Sequence, residues 1–382
     1  MPAQPLSALT GARIFTGDRF LDDHAVLLDG ARIRDVVPRA ALPVDLATED
    51  LEGGLLVPGF LDVQVNGGGG ILFNDTPTAE GAAGVAAAHR RFGTTGCLPT
   101  FITDRPEPQA EAVKAVREAI AQGRPGVLGI HLEGPHLSVA RKGAHDPALI
   151  RPMTEADLDA LLSTGLDNVL VTVAAETVTP AQIRRLTDGG VIVSIGHSDA
   201  SYDVVMAAAD AGARCVTHLF NAMSQLGHRA PGVVGAALDH GGLWGGLIAD
   251  GHHVDSAALR AALRGKRGPA HLFLISDAMP PAGAPGDTFT LSGRAVTRRD
   301  GALTFDDGTL AGADLTMDAA LRFSVKHLDL SLDVALCSAS LYPAEMLGLD
   351  RTRGRIALGY AADLVLLDDA LTVRRTWIGG TA

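Results

Sequence analysis

Residues 191–223 read VIVSIGHSDASYDVVMAAADAGARCVTHLFNAM. A short β-branched run ends in Gly-His-Ser-Asp, an alanine-rich helical stretch follows, and a second short run ends in His and Asn. Apolar runs alternating with helical stretches are the pattern of βα units and a parallel sheet. Working outward, the same unit recurs at LLVPGFLDVQVNG (55–67), TTGCLPTFIT (94–103), VLGIHLEGP (127–135), NVLVTVAAE (168–176), LWGGLIADG (243–251) and LFLISDAMP (272–280), which makes eight runs. Each is apolar for several residues and then turns polar, with Thr100 the mildest case. In a TIM barrel the C-terminal ends of the strands build the active site while their interiors fill a packed core. A doubly wound sheet would not need polar residues on nearly all eight ends. The expected fold is therefore α/β, a (β/α)8 TIM barrel over residues 56–344.

The flanks read differently. Residues 1–55 hold strand-like segments (ALTGARIFTG, AVLLDGARIRDVV) between Gly and Asp turns, and the tail from 345 to 382 has the same character. Together they are expected to form one small β-sandwich domain. Asp300-Gly301 predicts a hairpin within 287–305. Thr179-Pro180 reads as an N-cap with proline at the first helical position and Gly189 as the stop, while Thr154 and Asp157 form a capping pair. The glycines at 67–70 lack the order of a phosphate-binding loop and suggest a flexible loop over the barrel mouth.

Composition narrows the function classes. A formal charge of −12 without a strong basic patch argues against nucleic acid. The His89-Arg90-Arg91 run reads as the charged last turn of a helix, and Gly265-Lys266-Arg267-Gly268 as a solvated loop. Cys97, Cys215 and Cys337 are widely spaced and form no CxxC pair, so a reducing, cytoplasmic setting is expected. No leader pattern opens the chain and no apolar run approaches the roughly 18 residues that span a bilayer, so no membrane partner is expected.

Three strand ends carry donors suited to a borderline divalent metal: Glu133, His197 and His218. Two imidazoles and a carboxylate leave a fourth position open, as in catalytic rather than structural sites. Such a site can lower the pKa of a bound water from about 15.7 towards roughly 7. Asp277, at the end of the eighth run, is placed for general base and then general acid work; the alternative is a helix cap. His131 reads as a support for the ligands from beneath or as core, and His136 as either a pocket-shaping or a rim residue. His24, His240, His271 and His327 read as surface or satisfied core histidines.

In order along the chain, PGFLDVQVNG, HLEGP with KGAH, GHSDA, THLFNAM, DGHHVD, LISDAM and GTLAG resemble the motifs of the N-acetylglucosamine-6-phosphate deacetylase family, in the amidohydrolase superfamily. The resemblance implies that Glu133, His197 and His218 hold the metal and Asp277 is the acid/base. It implies that His145 orients or polarises the acetamide, that Asn221 and Ala222 contact the sugar, and that Arg229 and His253 receive the phosphate. Ala144, Leu310, Ala311 and Gly312 match further substrate contacts. A homodimer also follows from it, with Arg229 acting across the interface. Where the superfamily has His-x-His at the first strand end, this chain has Gln64 and Asn66, poor ligands for a transition-metal dication. One divalent metal per subunit is therefore expected, zinc first, with iron, cobalt or manganese suiting the same donors. The expected reaction is deacetylation of N-acetylglucosamine 6-phosphate. N-acetylgalactosamine 6-phosphate, another N-acyl substrate, or a catalytically silent scaffold of the same fold are the alternatives.

Overall fold

The computed structural model describes residues 6–382; the first five residues of the N-terminal segment read above lie outside them. Each of the eight runs supplies one strand of a single parallel sheet. The strands are β1 (Phe60–Val65), β2 (Thr94–Ile102), β3 (Ile130–Glu133), β4 (Val169–Val173), β5 (Ile192–Ile195), β6 (Cys215–Val216), β7 (Trp244–Ile248) and β8 (Leu272–Ile275). They neighbour one another in chain order, so every crossover returns to the adjacent position. The largest apolar cluster fills the barrel and the layer under its helices, with Phe60, Leu98, Ile130, Val171, Val193 and Phe273 all buried. The eight-stranded barrel expected from the sequence is the observed fold.

The β1–β8 seam that closes the barrel is made differently from the other seven contacts. The regular ladder gives way there to one parallel bridge, Val65 with Ala278. Backbone bonds run from Asp277 N–H to Gln64 O and from Asn66 N–H to Ala278 O, each 2.9 Å. The Asp62 carboxylate completes the seam: its Oδ1 accepts from the amides of Ser276 at 3.2 Å and Gln64 at 3.3 Å. Its other oxygen is buried without a partner. Burial pushes the Asp62 carboxyl up to about 7, helped by the nearby Asp277 charge and opposed by the Ser276 and Gln64 hydrogen bonds.

The helix signals hold. Pro180–Asp188 opens on a capping box between Thr179 and Gln182 and stops at Gly189, and Glu155–Leu162 opens on the Thr154–Asp157 box. The chain ends pair into two sheets. One contains Ser7–Thr10, His24–Asp29, Arg32–Pro38 and Ala47–Asp50; the other joins Leu55–Pro58 to Leu364–Leu367 and Val373–Trp377. Their core, with Ile14, Ile33, Leu56 and Trp377, is separate from that of the barrel. Leu55–Pro58 runs straight into β1, so the sandwich is anchored to the first barrel strand. Between β8 and the following helix, Met317–His327, four strands spanning 288–313 form an inserted antiparallel sheet, with Asp300-Gly301 at one of its turns.

Two local readings change. His89 does lie in the last turn of helix Ala79–Arg90, but it is fully buried, with Nε2 2.9 Å from Gly67 O. Desolvation lowers its pKa, so it packs as a neutral ring. The glycines at 67–70 are not a free loop: Gly67–Gly68 pair with Ile71–Leu72, and Gly69 and Gly70 donate to Ala282 and Pro280. A Cβ on Gly68 would meet His89 Nε2 at 2.4 Å, so this close approach requires glycine.

Asp62 gives the fold a testable pH dependence. Burial holds its carboxyl up at about 7 in the folded chain, above the 3.8 ordinary for an aspartate in water. Between those values the folded state holds a proton that the unfolded state lacks, so stability falls as pH rises through that window. Asp62→Asn keeps the accepting oxygen and removes the titration. Urea midpoints at pH 5 and pH 8 should therefore fall less with pH in the variant than in the wild type; equal slopes would contradict the assignment.

Candidate active site

The strand ends aim their polar residues into one mouth by an unusual backbone turn. His197, His218 and Asp277, which follow β5, β6 and β8, have φ of 47°, 30° and 50°. Left-handed backbone is uncommon for residues other than glycine and costs of order 1–3 kcal/mol each where it persists. Here the turn takes each side chain out of the strand's alternation and back across the barrel axis. Strand β6 is only two residues long, although Thr217 and Leu219 N–H still donate to Ile195 O and Gly246 O of the neighbouring strands at 2.9 and 2.8 Å.

The three expected metal ligands converge. His197 Nε2 and His218 Nε2 lie 3.2 and 3.1 Å from Glu133 Oε1 and 3.1 Å from each other. All three side chains are buried. Ligand atoms of a tetrahedral ion with bonds of about 2.0–2.1 Å stand about 3.3 Å apart, so the group fits one small dication. His197 Nδ1 sits 2.8 Å from Arg141 O, which fixes that nitrogen as the donor and leaves Nε2 as a lone pair facing the site. Burial alone would raise the Glu133 pKa, but hydrogen bonds to His197 and His218 outweigh it and hold the carboxyl well below its ordinary range. Among the described residues, this is the group of His, Cys, Asp and Glu whose ligand atoms lie within 4.8 Å of one another.

Asp277 sits beside this group and caps no helix; the chain continues from it as a loop towards the inserted sheet. Gln64 Nε2 donates to Glu133 Oε1 and to Asp277 Oδ1, both at 3.1 Å, and Asn66 Nδ2 donates to Asp277 Oδ1 at 2.7 Å. The carboxamides at the end of β1 therefore point N–H groups at the two carboxylates. Burial, with the Glu133 charge beside it, raises the Asp277 pKa above the ordinary carboxylate range.

A cavity of about 320 Å³ opens over these residues. Its walls include Ala144, His145, Asn221, Ala222, His253, Leu310 and Gly312 from the expected set. His145 Nδ1 lies 2.7 Å from Thr103 Oγ1, and its ring meets His197 edge to face at 4.4 Å. Burial, reinforced by His197, lowers the His145 pKa to about 3, so it acts as a neutral ring. His253 is held by Asp250, with Nδ1 2.6 Å from Oδ2. Ala311 is buried behind the wall, in the cluster that contains Met279. Arg229 is exposed on the loop after β6 and does not line the cavity of its own chain. His131 lies beneath the ligands, with Nε2 2.7 Å from Thr172 Oγ1, and His136 is buried against Arg151 O at 3.1 Å.

Several wall residues escaped the sequence reading. Arg141 lines the cavity while its carbonyl orients His197. Asp250, which holds His253 without lining the cavity itself, stands at the polar end of the seventh run, and that position was the available signal. Ile102 and Met279 are wall residues too; as apolar residues in or beside a strand they carry no sequence signal distinct from core.

Residues 55–382 match the amidohydrolase family, and residues 7–56 match the NagA composite domain. The N-acetylgalactosamine-6-phosphate deacetylase of Shewanella sp. (strain ANA-3) is 46% identical over 330 residues, 86% of this chain and 83% of that relative. The N-acetylglucosamine-6-phosphate deacetylase of Haemophilus influenzae is 36% identical over 378 residues, 98% of each chain. The crystal structure of N-acetylglucosamine-6-phosphate deacetylase from Pasteurella multocida superposes with a TM-score of 0.95 at 37% identity, covering 98% of this chain and 99% of that one.

The geometry predicts that Glu133→Ala purifies as a folded barrel that retains little divalent metal, while the wild type carries it. Elemental analysis beside far-UV circular dichroism checks this. A variant with full metal content would remove Glu133 from the ligand set.

Proposed function

Because the chain belongs to the amidohydrolase family, we propose that it hydrolyses the acetamide of N-acetylglucosamine 6-phosphate, giving D-glucosamine 6-phosphate and acetate. It is a hydrolase acting on an amide, which sets aside the silent-scaffold alternative. The observation that carries the proposal is the position of Asp277, buried beside Glu133, His197 and His218 at the floor of a sugar-sized cavity.

Glu133, His197 and His218 would hold a divalent ion, which would supply Lewis acidity when bound; zinc is our first choice, and iron, cobalt or manganese suit the same donors. The remaining work falls to this chain's own groups. Asp277 takes a proton from the attacking water and returns it to the departing amine nitrogen, for which its raised pKa suits a neutral working pH. The Asn66 and Gln64 amides fix the orientation of that carboxylate. His145 orients the acetamide, and Asn221, Ala222, Ala144 and the Leu310-Ala311-Gly312 stretch contact the substrate. His253, braced by Asp250, faces the phosphate. Arg229 completes the phosphate site from the second copy of a homodimer, a role supported by its exposure in the single chain and by the planar fork that suits phosphate.

A second reading has its own support, since the 46% identical Shewanella relative is a deacetylase of the galacto epimer. We place the enzyme in the cytoplasm on its three free, buried cysteines; among the described residues, no helix is long and apolar enough to cross a membrane.

The test is acetate release from the two N-acetylhexosamine 6-phosphates and their unphosphorylated sugars, side by side. The proposal requires faster release from the gluco phosphate than from any other; a preference for the galacto phosphate would establish the second reading. Asp277→Asn should lower turnover by about 10²–10⁴-fold, the usual weight of general acid–base catalysis. Turnover near the wild-type value would remove Asp277 from that role.

A further inference from the structure

The cavity has two chemically different walls. Asn221, Ala222 and His253 follow β6 and β7 and are polar or present backbone. Ile102 ends β2, Ala144 lies in the loop after β3, Met279 follows β8, and Leu310 comes from the inserted sheet. In a closed eight-stranded barrel, β2 and β3 stand across the axis from β6 and β7. Ile102 and Ala144 therefore face the polar wall from across the axis, and Met279 and Leu310 continue the apolar surface from the β8 side, with Arg141, His145 and Thr309 as the polar residues among them.

This apolar wall is the cavity-facing edge of a separate hydrophobic cluster. Ile102 and Met279 are buried with Leu72 and with Leu291, Val296, Leu303 and Phe305 of the inserted sheet, and Ala144 packs against them. Met279 is braced from behind: a Cβ on Gly312 would meet its Cγ at 2.6 Å, and Gly312 itself has a φ of 67°. Met279 N–H also donates to Ala313 O at 3.0 Å. The inserted sheet thus fixes the position of a flexible side chain at the cavity surface.

We infer that Ile102 and Met279 form the acyl pocket and limit the acyl group to acetyl, with the inserted sheet as its support. The inference rests on the hexosamine phosphate reading above. In such a substrate the ring hydroxyls and the phosphate need polar partners, and the acyl methyl is the group that gains from leaving water against an apolar wall. With the amide at the central carboxylates and the sugar on the β6–β7 side, the acyl carbon chain points to Ile102 and Met279.

The experiment compares kcat/KM for N-acetyl, N-propionyl and N-butyryl hexosamine 6-phosphates. One extra methylene against a fitted pocket typically changes discrimination about 10–200-fold. In the wild type, propionyl should therefore fall at least about tenfold below acetyl, and Met279→Ala should raise the propionyl-to-acetyl ratio by about tenfold or more. Ile102→Ala, from a different element, should raise it in the same direction and provides the measurement if Met279→Ala does not fold. A wild type that cleaves propionyl as readily as acetyl, or unchanged ratios in the variants that cleave acetyl, would overturn the acyl pocket alone. A wild type that cleaves none of these phosphates would overturn the hexosamine reading and the pocket with it.

Discussion

Two imidazole nitrogens stand 3.1 Å apart, and both are turned to the same carboxylate oxygen. Without a proton or a cation among them, facing lone pairs at that distance repel, and burial removes the water that would screen them. The barrel imposes the arrangement. Glu133, His197 and His218 end or follow three strands of one sheet, and the apolar core beneath leaves those strands no freedom to part. The left-handed backbone at His197, His218 and Asp277 is sustained by the same rigidity.

Barrel closure and the geometry of the candidate site share residues. The seam between β1 and β8 runs through Asp62, Gln64 and Asn66 on one side and Ser276, Asp277 and Ala278 on the other. The backbone of Gln64 receives the Asp277 amide, while its side chain donates to the Asp277 carboxylate. Anything that loosens the seam therefore also moves the Asp277 carboxylate. The carboxamide pair donates N–H groups to the two carboxylates where histidines would offer lone pairs, which suits a single ion at Glu133, His197 and His218.

Much of this was legible in the sequence because barrel strands are short apolar runs and their polar tips break the pattern conspicuously. His197, His218, Glu133 and Asp277 stand out for that reason, and Thr154 and Thr179 announce their helices through local hydrogen bonds that need no tertiary context. Other features depend on contacts distant in sequence. His89 reads as part of a basic run until Gly67 supplies a buried carbonyl 22 positions away. The glycines at 67–70 read as a loop because their partners, Ala278, Pro280 and Ala282, lie across the β1–β8 seam, far away in sequence. Ile102 and Met279 are indistinguishable from core in sequence, since only the inserted sheet turns them into a cavity wall. Arg229 lies outside the cavity of its own chain, and the phosphate role proposed for it would need a second copy.

The account stands on one divalent ion bound where Glu133, His197 and His218 converge. The most direct test is to strip the protein of metal with a chelator, remove the chelator, and titrate the divalent ion back while following acetate release. Activity absent at the start and rising linearly to a plateau at one equivalent per chain is the predicted result. Full activity in the stripped protein, or a plateau reached only at two equivalents, would contradict it.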